Sequence, residues 1–517
     1  MGTGEARIGL KAPKKAISGR NLLFWLAGFV GLVTLGRLVY CRNYNYDEIS
    51  HAHMAWLVSI GEIPYQDFGA NHFPFFWITL SPLMGLLPQG PVALVLLRVV
   101  ALLLNAIFII SLGALITREL GPSQRAWAAA CLAMVVFSPL PAEFLIEFRP
   151  DALANALLFS ALWWLCVRGA QHLREAPLAG FMIGMAVLIN TKYLLLPFVM
   201  AAVILVIDFR RTIRNWPFAM ATTGGFAAAW LAGLALLHLK HISLSNAWRM
   251  VVTYNSTVEK HQSYGFGLAG SLFQSPFCLL FILLGALACL AMVARRKWRP
   301  KPIEIAILVF LVLNLCMTTR PWKQYTASWF LLAAGFPARS LPLQAERLGS
   351  RVETALAAVA ALAVIVSFVL TTRIVPAAYD RKSQDQTMEY VLKQVPPDGY
   401  VFASYYNHPI FRRDSLFKTV YDEQAGGGDG LEQFMPGLAP GAYGEHFQEA
   451  GYDRDLAARW PAVILKEGGY TTAEMQAATR HILQHPGAYE QTLIPGTSYT
   501  VFQSAPTNSL GTNRTGP

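Results

Sequence analysis

Up to about residue 372 the chain alternates long apolar runs with short polar turns. The runs lie near 21–40, 91–117, 126–141, 152–168, 178–191, 194–209, 217–239, 272–294, 303–318, 324–338 and 353–372. Runs of this length and composition predict transmembrane helices, about eleven in all. A further run, 73–87, is short, rich in Phe and Trp, and broken by Pro82. Aromatic side chains favour the membrane–water interface, so this run predicts a helix lying along the membrane within an outer loop, 41–90.

The pattern changes after residue 375. Short strand-like runs occur at Tyr400-Val401-Phe402-Ala403, Ala462-Val463-Ile464-Leu465 and Tyr499-Thr500-Val501-Phe502. Thr471-Thr472-Ala473-Glu474 carries a capping-box signature and predicts a helix running to about His481. Residues 375–505 therefore predict a small soluble α/β domain, and 506–517, rich in Asn, Thr, Gly and Pro, a disordered tail. The glycine-rich stretch Ala425–Gly430 lacks the Lys-Ser/Thr of a phosphate loop and reads as a flexible connection. The expected fold class is mainly α: a polytopic membrane domain, 21–372, with interfacial helices in its first outer loop and an α/β domain behind it.

Composition supports this. Hydrophobic residues make up 54% of the 517 and charged residues only 14%, with a net charge of +11. Ordinary soluble domains carry roughly a quarter charged residues. In a membrane protein, excess Lys and Arg report topology and anionic headgroups, and nucleic acid is not the expected partner. Five of the six cysteines sit in apolar runs, and none has metal-ligand spacing. Residues 1–20, with Arg7, Lys11, Lys14, Lys15 and Arg20, read as a retained cytoplasmic arm.

Charge also fixes the expected topology. If 73–87 does not cross, the N-terminal arm and inner loops carry twenty Lys and Arg and the short outer loops eight, among them Arg42, Arg149, Lys192, Arg320 and Lys323. If it crosses, every later loop flips. The positive-inside rule favours the first arrangement. It puts residues 41–90 and the C-terminal domain together on the outer face.

Polar residues that suggest chemistry gather on that face. The pair Asp47-Glu48 follows the first span. Two carboxylates there are either helix openers, favoured by the helix dipole, or a base and a metal ligand. Tyr65, Asp67 and His72 lie in the same loop, Arg149 and Asp151 in the next outer turn, Lys192 after the fifth span, Glu259 and His261 in a long loop, and Arg320, Lys323 and Tyr325 at the end of a late span. Any one of the basic residues can simply snorkel to the interface. Several such segments on one face point to a site. The chemistry suggested is group transfer from a lipid phosphate. Lys192, Arg320 and Lys323 suit a phosphate, Tyr325 can donate to it, and Asp47 can deprotonate an acceptor hydroxyl. Glu48 is suited to positioning the loop or a metal. A divalent metal at His72, Glu259 and His261 would orient substrate. Arg149 and Asp151 suit pairing that braces their loop, or sugar binding together with Tyr65 and Asp67.

With these residues the chain resembles the GT-C superfamily of integral-membrane glycosyltransferases, in particular the protein O-mannosyltransferase and lipid A aminoarabinose transferase branch. The matching pieces are Asp47-Glu48, Gly61-Glu62-Ile63-Pro64-Tyr65-Gln66-Asp67-Phe68, His72-Phe73-Pro74, Trp77, Arg98, Arg149-Pro150-Asp151, Thr191-Lys192 and Lys323 with Tyr325. The resemblance implies a donor sugar on undecaprenyl or dolichyl phosphate and a lipid, glycan or protein acceptor. It also implies inverting hexosyl or pentosyl transfer, with Asp47 as base and with Lys192 and Tyr325 near the donor phosphate. It implies a multi-pass protein of the bacterial inner (plasma) membrane with its catalytic face outward. His72-Phe73-Pro74 stands where the aminoarabinose branch has Glu-Lys-Pro, a departure that speaks against carrying over its metal site or its lipid A acceptor. Two other functions remain open on the sequence. A transporter or flippase of lipid-linked sugars would show repeats and midplane polar residues, and no repeat is visible here. A glycan ligase or polymerase using a diphosphate donor would need the same basic residues.

Overall fold

The computed structural model describes residues 19–70, 72–118, 120–168, 173–207, 214–254, 302–317, 330–335, 381–403, 407–416, 449–466, 473–497 and 499–504, with scattered positions besides. The N-terminal arm, the runs 272–294, 324–338 and 353–372 in whole or large part, the glycine-rich stretch and the tail 506–517 lie outside these residues.

The first part is helical. Helix α1 (Gly19–Cys41) leads into α2 (Tyr46–Ser59) and α3 (Phe75–Met84), followed by α4 (Pro91–Thr117), α5 (Pro122–Val136), α6 (Pro139–Leu145) and α7 (Pro150–Arg168). Then come α8 (Ala176–Ile189), α9 (Leu195–Ile207), α10 (Trp216–Leu239) and α11 (Pro302–Met317). The longer of these coincide with predicted apolar runs. By length and hydropathy alone, two of the described helices, Pro91–Thr117 and Trp216–Leu239, suffice to cross a bilayer. Helix α3 has 10 residues, about 15 Å at the α-helical rise, half the hydrocarbon thickness. Phe75, Phe76 and Trp77 are buried against the protein, not spread along an interface.

Two packings set the frame of the helical part. Helices α4 and α7 meet through Phe108 and Phe159, whose ring centroids are 4.8 Å apart, and through Ser111 and Ser160, 3.2 Å apart. Helices α8 and α10 approach backbone to backbone. A Cβ on Gly180 would lie 1.9 Å from the Thr222 carbonyl oxygen, and one on Gly225 1.9 Å from that of Pro177. Gly180 and Gly184 form a small-xxx-small pair, which lets helices touch where lipid provides no hydrophobic drive.

The C-terminal part contains helices and a small sheet. Helix α12 (Arg381–Gln394), β1 (Tyr400–Phe402), β2 (Arg413–Asp414), α13 (Glu449–Ala458), β3 (Pro461–Lys466), α14 (Ala473–Gln484), β4 (Tyr489–Leu493) and β5 (Thr500–Ser504) follow in order. The sheet order is β2-β1-β3-β5-β4. The first three strands are parallel, and β5 and β4 run antiparallel to their neighbours. Alternation along β3 divides the core. Val463 and Leu465 pack with Val401 and Val391 on one face, and Ile464 packs with Phe402, Leu456 and Ala478 on the other. Strand β4 and helix α12 are findings of the structure; both are too polar for their pattern to stand out in the sequence.

Candidate active site

Asp47 and Glu48 both open α2, and the fold gives them different surroundings. Asn45 caps the helix. Its N–H donates to Glu48 Oε2, 2.9 Å, and its side-chain oxygen accepts from the Asp47 N–H, 3.4 Å. Glu48 is fully buried. Arg98, from α4, grips both of its oxygens, Nε to Oε1 at 2.9 Å and Nη2 to Oε2 at 2.8 Å. The same guanidinium donates to the carbonyls of Val39, Arg42 and Asn43, which end α1, and lies over the Tyr44 ring, 4.6 Å from its centroid. Burial by itself would raise the Glu48 carboxyl, but Arg98, aided by Arg42 and the Asn45 N–H, outweighs it and holds the group below the usual carboxylate range. Arg98 thus joins the end of α1 to the start of α2, and Glu48 is the anchor of that joint.

Asp47 faces the other way. Its Oδ2 accepts from Arg149 Nη1. Arg149 Nε lies 3.5 Å from Asp151 Oδ2, and Asp151 Oδ1 lies 3.8 Å from Lys192 Nζ. Acid and base alternate from Asp47 to Lys192. The Arg149 side chain is 6% exposed, whereas Asp47, Asp151 and Lys192 are 19%, 20% and 27% exposed. Arg149 is buried within the chain, and the other three side chains are partly exposed. Asn190 supports it, donating to Asp151 Oδ1 at 3.0 Å and accepting from the Lys192 N–H at 3.2 Å. Burial pushes the Lys192 ammonium down to about 8, despite the opposing pull of Asp151.

Behind Arg149 sits Glu147, fully buried, 3.4 Å from Arg149 and 2.8 Å from Arg42. Asn45 also donates to it, 2.9 Å. Burial drives the Glu147 carboxyl up to about 7, against the pull of both arginines. Asn105, Glu147, Arg149, Asp151 and Asn155 line a cleft beside the chain.

The remaining sequence candidates divide. Tyr65, in the left-handed region at φ 63°, donates its hydroxyl to the His72 carbonyl, 2.5 Å. Asp67 accepts from the Ile63 N–H, 2.7 Å. Both hold the loop itself. His72 lies beside His51, ring centroids 5.4 Å apart, and His51 Nδ1 accepts from the indole of Trp77, 3.1 Å. Burial pushes both imidazoles down to about 3, so both are neutral. Arg320, Lys323, Tyr325, Glu259 and His261 lie outside the described residues. Among the described residues, the cluster with metal-ligand types and spacing is His53, His408 and Asp414. Sequence reasoning gave no role to Glu147, Asn190, His51 or His53. Asn190 had a signal, since it immediately precedes Thr191-Lys192. The others are single polar residues whose partners are distant in sequence.

No family model matches the chain, and no curated protein matches it. Solved structures do. ArnT from Cupriavidus metallidurans in its apo state is 12% identical with a TM-score of 0.57, over 93% of this chain and 98% of that one. ArnT bound to undecaprenyl phosphate is 13% identical with a TM-score of 0.57, over 95% of this chain and 100% of that one. The oligosaccharyltransferase AglB from Archaeoglobus fulgidus, in complex with an inhibitory peptide and a dolichol-phosphate, is 13% identical with a TM-score of 0.53, over 94% of this chain and 74% of that one. At these identities the likeness is one of architecture, and on that architecture the chain has the GT-C fold, shared with these integral-membrane glycosyltransferases.

Proposed function

We propose that this protein is a multi-pass membrane glycosyltransferase that moves a sugar from a polyprenyl-phosphate donor to a hydroxyl of a lipid, glycan or protein acceptor on the non-cytoplasmic face. The observation that carries the reading is the partly exposed charge chain from Asp47 to Lys192 on a GT-C fold. A base and a phosphate-binding cation on one rigid array are the two groups that such a transfer needs. The undecaprenyl phosphate bound to ArnT and the dolichol-phosphate bound to AglB support a polyprenyl-phosphate donor.

With Oδ2 on Arg149, Oδ1 of Asp47 takes the proton of the acceptor hydroxyl. The acceptor oxygen attacks the anomeric carbon from the face opposite the lipid phosphate. The bond between that carbon and the phosphate oxygen breaks, and its electron pair leaves with the phosphate, so configuration inverts. Lys192 neutralises the departing charge, joined by Arg320, Lys323 and Tyr325 from the late outer segment. Glu48 takes no part in this step and serves the fold through Arg98. Asp151, between Arg149 and Lys192, keeps the cation pointed at the headgroup.

Asp47→Asn is expected to abolish transfer of radiolabelled sugar from a polyprenyl-phosphate donor and to leave donor binding within about twofold, because only the base is lost. Turnover near that of the unaltered protein would sink the base assignment. Preferential use of a diphosphate-linked donor would move the reading to a glycan ligase or polymerase.

A further inference from the structure

We infer that His53, His408 and Asp414 form a divalent transition-metal site, of the kind zinc occupies, that fastens the C-terminal domain to the first outer loop. It stands apart from the charge chain and is independent of the donor and acceptor proposed above. His53 is six residues beyond Asp47 on α2, about 9 Å along the helix, and the other two residues come from the C-terminal domain.

The side chains of both histidines are 0% exposed and that of Asp414 is 8% exposed. His53 Nε2 lies 2.9 Å from Asp414 Oδ2, and His408 Nε2 lies 3.1 Å from Asp414 Oδ1. The imidazole centroids are 4.0 Å apart, and the three ligand atoms all lie within 4.8 Å of one another. A zinc ion with nitrogen and oxygen ligands at about 2.0–2.2 Å in a tetrahedron holds its ligand atoms roughly 3.3 Å apart. The two nitrogen–oxygen distances, one to each oxygen of Asp414, are slightly shorter than this, and the 4.8 Å bound contains it.

The tautomer of His53 sharpens the inference. Its Nδ1 is 2.6 Å from the Ile410 carbonyl oxygen. A carbonyl only accepts, so Nδ1 carries the proton. In the neutral ring, Nε2 then presents a lone pair to a carboxylate oxygen at 2.9 Å. Two electron-rich atoms face each other in a buried place, and a cation between them resolves the conflict. A ring whose Nδ1–H is held by a backbone carbonyl is the usual support of a histidine that ligates through Nε2. Two imidazoles and one carboxylate suit zinc better than magnesium or calcium, which prefer oxygen.

A proton on His53 Nε2 is the competing cation, and His408 separates the two. The Ile410 N–H donates to His408 Nδ1, 3.1 Å. Metal on Nε2 puts a proton on Nδ1, so loading opens that bond. A proton alone leaves it in place.

The location suits a fastening. Three successive residues reach the first outer loop at different points: Arg412 donates to Gln89 Oε1 at 3.2 Å, Arg413 pairs with Glu62 at 2.7 Å, and Asp414 meets His53. A metal at the last of these ties two segments more than 350 residues apart in the chain.

The test is metal analysis of the purified full-length protein, washed free of loose ions. About one zinc per chain is expected, falling to about a tenth of that in His408→Ala and Asp414→Asn. Metal-free protein, or the same zinc content in both variants, would overturn the assignment. X-ray absorption at the zinc edge of the unaltered protein needs no variant to fold. A shell of two imidazoles with oxygen supports the site, and a shell containing sulfur or fewer than two imidazoles refutes it. Replacing zinc by cobalt adds a check: the visible bands of tetrahedral cobalt are expected in the unaltered protein and absent from His408→Ala, and the same bands in both refute it.

Discussion

Asp47 and Glu48 are neighbours in sequence, yet one pairs with Arg149 and stays partly exposed while the other is buried against Arg98. The difference follows from helix geometry: consecutive residues point about 100° apart, so one turn presents them to different walls. Glu48 and Arg98 form a fully buried pair with both carboxylate oxygens satisfied. Removing one partner of such a pair strands the other's charge. Arg98→Met should therefore lower the stability of the purified protein by about 3–5 kcal/mol, read as a fall in its unfolding midpoint in detergent. Lys192 gives a pH signature. With its pKa near 8 in the free protein, the ammonium is present below that value and is lost as pH rises through it. Affinity for a polyprenyl-phosphate donor should thus decline above about pH 8, and Lys192→Arg, which stays charged, should remove the decline. Donor titrations across that range check both. The acid–base types were legible in the sequence, which named Asp47, Arg149, Asp151 and Lys192. Their order in the chain of contacts was not, because Asp47 and Arg149 are 102 positions apart.

At the scale of elements, apolar length and glycine placement explain most of what is seen. Helix α3, with 10 residues and Pro82 inside it, is too short to cross a bilayer by itself. Helices α8 and α10 approach until backbone meets backbone at Gly180 and Gly225, whereas the adjacent Gly224 faces open space. That contrast is testable. Gly225→Ala should destabilise by about 1–3 kcal/mol through overpacking, while Gly224→Ala should be neutral or stabilising by up to about 1 kcal/mol, since alanine favours helix. Thermal unfolding of the two variants side by side measures the difference. The strands β1, β3 and β5 were visible as short β-branched and aromatic runs. Strand β4, Tyr489–Leu493, was not, because three of its five residues are Glu, Gln and Thr and its exposed side gives no alternation.

For the whole molecule, the first outer loop and the C-terminal domain are in direct contact. Tyr44 N–H donates to Gln384 Oε1, 2.8 Å, Arg413 pairs with Glu62, and His53 meets Asp414. The charge count expects both segments on one side of a membrane, and their contact is compatible with that. Single cysteines introduced at residues 45 and 400 should therefore be labelled, or protected, together by an impermeant thiol reagent in intact cells. Labelling of one without the other would refute the topology. The sequence by itself pointed to a mainly helical, apolar first part followed by a small α/β part, because apolar run length and strand alternation are local or additive properties of the chain. It also determined which residue types were available for chemistry. The tertiary structure alone decided what each carboxylate of the pair touches, which acids and bases form one array, and that His53 meets His408 and Asp414. Each of these depends on pairs far apart in sequence, brought together only when helices α2, α4 and α7 and the C-terminal sheet pack.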